Sequence, residues 1–503
     1  MKQIATIPHL LAEGARRWPD AVWCRTPHDS ITRAEAFGQA RRCAGGLAHR
    51  GVVNGDHVVI VLPNGLDFLR AWFAVMMRGA ISVAMNPAAA ESELAAVLAE
   101  TSAKIVIAAD DQKVPAGVER ISVTTLLEFN EIDAQPCRPE QPASYIQSSG
   151  STGKPKFVIE THGMYTMAAE GYPYWLGLTP DDVVLTTLPL SHLNAQAYST
   201  LGSYCCGAEL ALLPKFSASQ FWTTVRDYNA TVFNAIGAML EILMAREPSP
   251  VERSHRLRYC YSAPAPTEGR HREIEDRFNM RLIIGYALSE SPYGLITPIN
   301  EPVTYGSMGR PRQHPEFGNI NEAKVIDIAG NALPAGSAGE LLLRNPAITP
   351  GYFGLPTESA ALVDSDGWLH TGDLAVVDDA GNHYFVGRLK ELIRRRGENL
   401  SPAEVEVVID EHPSVSSSAV IGVPSPLTEE DVKAFVMLRP NAPLTADQLG
   451  HWCAERLPPY KRPRFIEFVT QWPLTETQKI AKKLLTRERN SQETDLDTVS
   501  SVR

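Results

Sequence analysis

Short β-branched runs alternate with stretches of helical periodicity through the first half of the chain. Residues 57–62 (HVVIVL) form a strand-like run, and residues 68–77 follow with apolar side chains at helical spacing. Further strand-like runs lie at 81–84 and 104–108, with a helical stretch at 88–100 between them. Because a strand–helix–strand rhythm brings successive strands back in the same direction, it predicts a parallel sheet covered by helices.

The strand–helix pattern continues up to about residue 285 and then changes. Its later strand-like runs lie at 183–188, 211–213, 230–233 and 281–285. After residue 306, short strands are separated by Gly, Pro and Asp turns, at 323–328, 340–344 and 383–386. This spacing predicts a smaller antiparallel or barrel-like β element.

A third pattern begins at about residue 388. A strand-like pair at 392–393 precedes a helix with Ser401 at the N-cap, Pro402 at the first helical position and Glu404 at the third. The polar residues 490–503 are expected to fray. We therefore predict an α/β protein with a large N-terminal domain of residues 1–387 and a small α+β C-terminal domain of residues 388–503.

Length, charge and cysteine content exclude several classes of protein. A chain of 503 residues is too long for one compact core, so two or more domains are expected. The 47 basic and 58 acidic side chains leave a formal net charge of −11, which argues against nucleic-acid binding. The seven cysteines match neither a zinc nor a disulfide pattern, which indicates reduced thiols. Without a signal-peptide pattern or an apolar run of membrane-spanning length, the sequence predicts a soluble cytoplasmic protein.

Residues 145–158 (YIQSSGSTGKPKFV) hold the strongest chemical signal. Small residues let successive backbone N–H groups form an anion-binding concavity, while hydroxyls add donors and lysines add positive charge. The alternative is a solvated Ser/Gly linker, which has no need of two lysines. A Walker loop is excluded because it would need Gly in place of Ser148, and Pro155 follows the lysine. The predicted phosphate-binding residues are Ser148, Ser149, Gly150, Ser151, Thr152, Gly153, Lys154 and Lys156.

With this loop and further motifs in the expected order, residues 7–487 resemble the adenylate-forming superfamily. That superfamily includes acyl-CoA synthetases, firefly-luciferase-like enzymes and the adenylation domains of peptide synthetases. The resemblance implies ATP, Mg²⁺ and coenzyme A as cofactors and a carboxylic acid as substrate. It also implies that the small C-terminal domain is mobile and swings about a hinge between the two half-reactions.

The resemblance assigns the nucleotide contacts motif by motif. In residues 285–290 (GYALSE), Tyr286 would stack on adenine, Ser289 would reach phosphate and Glu290 would hold Mg²⁺. In residues 367–373 (GWLHTGD), Asp373 would accept hydrogen bonds from both ribose hydroxyls. The remaining nucleotide contacts implied by the likeness are Ala263, Pro264, Gly285, Ala287 and Arg388.

The likeness also assigns catalytic, hinge and pocket residues. Lys479 would bridge the acid and the α-phosphate, and His192 would border the carboxylate, so that these two and Glu290 form the catalytic set. Lys390 falls at the hinge, and Gly397 would let the backbone pass close to a pantetheine arm. The acyl pocket is expected to be lined by Asn234, Ile236, Gly237 and Ala238.

Two positions depart from the family pattern. Phe157 and Gln478 stand where the family commonly has Gly, and they could respectively crowd the exit of the phosphate loop and alter the turn that delivers Lys479. Neither departure removes a charged or metal-binding group, so activity is expected to survive.

These motifs predict an AMP-forming ligase that converts a carboxylic acid to an acyl-adenylate and passes it to coenzyme A. A medium or bulky hydrophobic acid is preferred because Gly237 and Ala238 leave volume, although a small polar acid stays open. The alternatives are an enzyme that only adenylates, one that serves a carrier-protein thiol, and a non-catalytic acyl-nucleotide-binding protein.

Overall fold

The computed structural model describes residues 4–148, 156–395, 398–425, 429–440, 442–473 and 480–497. Four sheets are built from the strands of these segments. In chain order the strands are β1 Val22–Arg25, β2 Ser30–Thr32, β3 His57–Val61, β4 Ile81–Ala84, β5 Ile105–Ala108, β6 Glu119–Ile121, β7 Pro142–Ser148, β8 Lys156–Thr161, β9 Val183–Thr186, β10 Glu209–Leu212, β11 Val232–Ile236, β12 Tyr259–Ala263, β13 Arg281–Leu288, β14 Ser291–Ile296, β15 Ser307–Pro311, β16 Glu322–Ile326, β17 Gly339–Arg344, β18 Leu369–Val377, β19 His383–Arg388, β20 Ile393–Arg395, β21 Glu398–Leu400, β22 Val415–Pro424, β23 Glu430–Leu438, β24 Phe465–Phe468 and β25 Glu493–Asp495.

Helices connect and cover these strands. They are α1 Ile7–Arg17, α2 Arg33–His49, α3 Leu66–Met77, α4 Glu91–Thr101, α5 Val123–Leu127, α6 His162–Leu176, α7 Ser203–Cys206, α8 Phe221–Asp227, α9 Gly237–Met244, α10 Glu268–Phe278, α11 Pro356–Ala360, α12 Pro402–Asp410 and α13 Ala446–Arg456. A π-helical segment, Asn194–Gly202, precedes α7. None of the helices formed by the described residues has the length and apolar character needed to span a bilayer.

Two large sheets form the bulk of the protein. A six-stranded sheet has the order β6-β5-β3-β4-β7-β8, and all its pairs are parallel except the hairpin β7–β8. A thirteen-stranded sheet contains the parallel run β13-β12-β11-β9-β10-β1. The strand–helix–strand pattern therefore correctly predicted parallel pairing in both sheets.

The core contains helices buried on nearly every side. In α3, Trp72 and Phe73 are 0% and 1% exposed, and in α6, Tyr165 and Tyr172 are fully buried. A helix that is apolar all round belongs in an interior, because no face of it gains from contact with water. These two helices contribute to the same hydrophobic cluster as β9 to β13.

The predicted antiparallel element is confirmed, but it is not a separate closed barrel among the described residues. Strands β14 to β19 pair antiparallel and continue the thirteen-stranded sheet beyond β13. Its outer edge is the short strand β16, which pairs only with β17 within the described segments. The barrel-like description is therefore replaced by an open antiparallel extension.

Residues from Ile393 onward form their own clusters around a four-stranded sheet of order β22-β23-β24-β25. The predicted cap of α12 is present, since the Ser401 hydroxyl accepts from the Ala403 N–H at 3.2 Å and the Glu404 carboxylate accepts from the Ser401 N–H at 3.2 Å. The division at residues 387 and 388 remains a prediction.

The expectation that residues 490–503 fray is wrong for their first part. Strand β25 pairs antiparallel with β24, which places Glu493 beside Glu467. The Lys433 ammonium lies 2.8 Å from Glu493 and 2.9 Å from Glu467, and all three side chains are at most 8% exposed. A polar tail becomes ordered here because a buried cation from β23 requires its carboxylates.

Candidate active site

Several of the predicted pocket and nucleotide residues lie at the carboxyl ends of parallel strands in the large sheet. Parallel strands β11, β12 and β13 end side by side, and their last residues include Ile236, Ala263 and Leu288. Ligands of open α/β sheets bind at the carboxyl ends of such strands. Gly285, Tyr286 and Ala287 all lie in β13 near this edge.

Gly285 allows a close approach at these strand ends, and Gly237 lies in ordinary contact with the neighbouring loop. A Cβ on Gly285 would lie 2.3 Å from the Tyr261 hydroxyl, so no larger residue fits there without displacing the ring. A Cβ on Gly237, the first residue of α9, would lie 3.4 Å from Pro264. The predicted adenine loop and the predicted acyl-pocket segment are therefore neighbours.

The predicted ribose contact is a buried carboxylate held from two sides. Asp373 is 3% exposed; one of its oxygens accepts from the Tyr286 hydroxyl at 2.7 Å, and the other lies 3.2 Å from the Arg388 guanidinium Nε. Burial and the neighbouring Asp373 charge raise the pKa of Tyr286 well above its usual range, which keeps the phenol a donor. Three residues predicted from separate motifs are thus connected by direct contacts.

A second group of contacts joins the end of the phosphate loop to the predicted metal ligand. The Glu290 carboxylate accepts from the Tyr352 hydroxyl at 2.8 Å, and the Lys156 ammonium lies 4.7 Å from the centre of the Tyr352 ring. Backbone contacts keep this segment on β8, since the Phe353 N–H donates to the Phe157 carbonyl at 2.9 Å. Tyr352, which the sequence motifs did not identify, therefore connects the two sheets at this site.

Glu290 suits a Mg²⁺ ion that takes most of its ligands from elsewhere. Only one Glu290 oxygen has a hydrogen-bond partner in the described part of the chain. In the same segments no group of three or more His, Cys, Asp or Glu side chains could hold a metal by itself. Protein-bound Mg²⁺ commonly keeps one or two carboxylates and completes its shell with phosphate oxygens and water, which matches this donor set.

A buried acid that sequence reasoning missed lies behind Glu290. Glu160, in β8, is 0% exposed, and neither of its carboxyl oxygens has a hydrogen-bond partner in the described structure. Burial and, to a smaller extent, the Glu290 charge raise the pKa of Glu160 well above its usual range. The one available signal was a charged residue inside the otherwise apolar run FVIET.

One residue of the predicted acyl pocket, Asn234, is polar. Asn234 is fully buried. Its Nδ2 donates to the side-chain oxygen Oδ1 of Asn194 at 2.9 Å and to the Ser199 hydroxyl at 3.1 Å. Asn194 begins the π-helical segment, two residues after His192. His192 is half-buried, and its backbone N–H donates to the Pro189 backbone carbonyl at 3.1 Å. The other predicted pocket residues are half-buried beside this network: Ile236, Gly237 and Ala238.

The predicted hinge lies where β19 meets the first elements of the C-terminal region. Lys390 is exposed in a short 3₁₀ turn, Leu389–Glu391. The Ser401 hydroxyl donates to the Val386 carbonyl at 2.6 Å, so the start of α12 rests on β19. Partial desolvation of its ammonium by neighbouring groups and the nearby Arg388 charge lower the pKa of Lys390.

Several predicted residues lie outside the described segments. These are Ser149, Gly150, Ser151, Thr152, Gly153, Lys154, Gly397, Gln478 and Lys479. Ser148 and Lys156 flank the phosphate loop at the facing ends of β7 and β8, where the Ser148 hydroxyl donates to the Lys156 carbonyl at 3.4 Å. Ser289 is half-buried near Glu290.

The predicted effect of Phe157 on the phosphate loop falls on residues outside the described segments, but the side chain itself is described. Its side chain is 2% exposed and packs in a hydrophobic cluster with Val59 and Tyr145. The Phe157 and Tyr145 ring centroids are 6.2 Å apart. An aromatic residue is accommodated at this position because alternate side chains of β8 point into the core of the six-stranded sheet.

Comparison with known proteins identifies the family of this chain. A family model described as AMP-binding enzyme matches residues 11–353, and one described as AMP-binding enzyme C-terminal domain matches residues 404–479. The crotonobetaine/carnitine–CoA ligase of Shigella sonnei (strain Ss046) is 30% identical over 469 residues, covering 86% of this chain and 89% of that relative.

Solved structures agree with the sequence comparison. ATP-bound MatB from Rhodopseudomonas palustris is 25% identical with a TM-score of 0.87, covering 95% of this chain and 98% of that one. The O-succinylbenzoate coenzyme A synthetase of Bacillus subtilis, in complex with AMP, is 25% identical with a TM-score of 0.85, covering 96% and 99%. This chain therefore belongs to the AMP-binding enzyme family.

Proposed function

We propose that this protein is an AMP-forming ligase that activates a carboxylic acid with ATP and transfers the acyl group to coenzyme A. The observation that carries the proposal is that two contact groups meet at the end of β13: Tyr286 in this strand reaches Asp373, which pairs with Arg388, and Glu290, two residues beyond the strand, accepts from Tyr352. The first offers ribose and phosphate contacts, and the second offers a cation site. The names of relatives, two of which are CoA ligases or synthetases, support the same reaction.

The chemistry needs two steps because a carboxylate has no good leaving group. In the first, the carboxylate oxygen bonds to the α-phosphorus of ATP while the bond to the β-phosphate oxygen breaks, releasing pyrophosphate. In the second, the coenzyme A thiol loses its proton and attacks the acyl carbon, and AMP leaves with the bonding electrons. Both reactants of the first step are anionic, so positioning and charge neutralisation supply most of the catalysis.

Within this proposal each residue has a distinct task. Asp373 and Arg388 hold the ribose, and Tyr286 stacks on adenine. Lys156 and the loop before it bind the phosphates, and Lys479 neutralises charge between the acid and the α-phosphate. His192 borders the carboxylate. Mg²⁺, when bound at Glu290, would neutralise phosphate charge and help to orient the leaving pyrophosphate.

The domain division and location belong to the same proposal. We infer that residues 388–503 move about Lys390 and that Gly397 approaches the thiol substrate in the second step. We also infer a cytoplasmic location, where ATP and coenzyme A are available. All seven cysteines are free, as is usual for proteins of a reducing compartment.

The test is release of pyrophosphate with ATP, Mg²⁺ and a broad panel of acids, with and without coenzyme A. We expect acid-dependent release in the wild type, thioester formation with coenzyme A, and loss of both in Lys479→Ala. Lys113→Ala is the control, because this ammonium lies in an exposed ion pair with Glu91. Adenylate without thioester would redirect the proposal to a carrier-protein thiol. Absence of pyrophosphate with every acid would refute it.

A further inference from the structure

The acyl subsite contains an amide whose position is determined by its neighbour. Asn234 uses all its hydrogen-bonding groups inside the protein: Nδ2 donates to Asn194 and Ser199, and the carbonyl oxygen accepts from the Tyr172 hydroxyl. A buried amide with every group satisfied has one stable orientation, because rotating it would leave donors facing donors. Asn234 therefore orients Asn194.

The side-chain amide of Asn194 has an unused donor. Its oxygen, Oδ1, accepts from Asn234, but its Nδ2 donates to no acceptor within the described parts of the chain. The side chain is half-buried, unlike the fully buried Asn234. Because Asn234 belongs to the predicted acyl pocket, this contact places an unused N–H donor at that pocket.

The space behind Asn234 is filled by three tyrosines. The ring centroids of Tyr172, Tyr198 and Tyr261 lie 5.6 to 5.7 Å from one another, in one stacked and two edge-to-face contacts. Each ring is at most 4% exposed. We call this group the tyrosine cluster.

A buried arginine holds the tyrosine cluster in place. Arg312 is 1% exposed and donates to the Tyr198 hydroxyl at 2.8 Å and to the Tyr261 hydroxyl. Its Nε donates to the Leu295 carbonyl at 3.0 Å. Opening this volume for a long acyl chain would separate a buried cation from its acceptors, which costs far more than moving an apolar side chain.

Resting on the ligase function proposed above, we propose that the acyl subsite selects short carboxylic acids that carry a hydrogen-bond acceptor on the acyl group. Asn194 donates to that acceptor, Asn234 orients Asn194, and the tyrosine cluster limits the length of the acyl group. This class differs from the medium or bulky hydrophobic acid preferred from the sequence. The difference arises because the buried polar network of Asn234 and the tyrosine cluster outweighs the small side chains of Gly237 and Ala238, on which the preference from the sequence was based.

The first test compares acids on the wild-type enzyme by pyrophosphate release. Butyrate and acetoacetate have the same chain and differ by one keto oxygen, which accepts but does not donate. Octanoate and benzoate test length and bulk. We expect kcat/KM for acetoacetate to exceed that for butyrate by about tenfold, the worth of one hydrogen bond. Higher kcat/KM with octanoate or benzoate would overturn the inference while leaving the ligase function intact.

The second test changes the polarity of one side chain. Asn194→Asp keeps an oxygen for Asn234 but replaces the free donor by an acceptor, so it should lose the preference for acetoacetate and gain about tenfold on β-aminobutyrate, whose ammonium donates. Asn194→Leu should bring the acetoacetate-to-butyrate ratio close to one. Thermal melting checks that both variants fold. An unchanged acetoacetate-to-butyrate ratio of kcat/KM in folded variants would refute the role of Asn194. Absence of pyrophosphate release with every acid in the wild type would instead refute the ligase proposal itself.

Discussion

Asp373 and Arg388 face each other across the strand pair β18–β19, with the Arg388 Nε 3.2 Å from an Asp373 oxygen. The carboxylate is buried, while the arginine side chain is 40% exposed at the edge of the site. Tyr286 reaches the same carboxylate from β13. The ribose-binding group that we propose is therefore pre-assembled from three strands.

Asp373→Asn should weaken both nucleotide binding and folding. The new amide would present a donor to either Tyr286 or Arg388, so we expect the free energy of unfolding to fall by about 1–3 kcal/mol. The Kd for ATP should rise by about tenfold or more, because a hydrogen bond to the ribose is lost. Isothermal titration with ATP and thermal melting measure the two effects. Glu322→Gln is the matched control, because it breaks only an exposed cross-strand pair with Arg344 and should melt like the wild type.

Glu290→Gln should remove the response to Mg²⁺ without unfolding the protein. Glutamine still offers an oxygen to the Tyr352 hydroxyl, but it lacks the negative charge that attracts a hard cation. We expect pyrophosphate release to fall about a hundredfold or more at saturating acid. A Mg²⁺ titration of the rate is the measurement. Tyr352→Phe should cause a much smaller loss. An unaltered Mg²⁺ dependence in Glu290→Gln would show that the cation binds elsewhere.

Glu160→Leu should stabilise the protein at neutral pH. Removing an unpartnered buried carboxyl is worth about 1–3 kcal/mol. Because the folded-state pKa of Glu160 is raised, the folded protein keeps a proton that the unfolded chain loses above about pH 4.3. Wild-type stability therefore falls as pH rises from that point, at about 1.4 kcal/mol per pH unit until the folded-state pKa is reached.

Chemical denaturation of Glu160→Leu and the wild type from pH 4 to 8 measures this effect. The stability difference should be smallest at the acidic end and should grow with pH. Glu128→Leu, at an exposed carboxylate, should show no such trend. A difference that stays constant across the range would contradict a buried, protonated Glu160.

Glu493→Ala should destabilise the C-terminal region although it lies in a polar tail. The change leaves the buried Lys433 ammonium with Glu467 as its remaining carboxylate within salt-bridge distance in the described structure. Removing one of the two carboxylates of a buried ammonium should cost about 1–3 kcal/mol. Thermal melting followed by tryptophan fluorescence, which includes Trp452 and Trp472, reports on this region. Glu488→Ala, at an exposed position nearby, should melt like the wild type.

Local sequence accounted for the elements whose causes are local. The β-branched run at 57–62 became β3, and the Ser401–Glu404 capping pattern began α12, because both depend on side chains within a few residues. The motifs also placed Tyr286, Asp373 and Arg388 in one site. That grouping followed from the resemblance to a family, since nothing in their spacing alone brings together residues so far apart in the chain.

The sequence by itself determined the parallel α/β framework, the antiparallel extension and the nucleotide motifs, because period, turn residues and short motifs act over short distances. Only the tertiary structure decided which polar groups are buried and with whom. It joined Glu290 to Tyr352, oriented Asn194 through Asn234, and ordered β25 around Lys433. These outcomes depend on contacts between segments that are distant in the chain. A buried charge or amide is destabilising unless another residue supplies an opposite charge or a hydrogen bond, and no local sequence pattern specifies that residue.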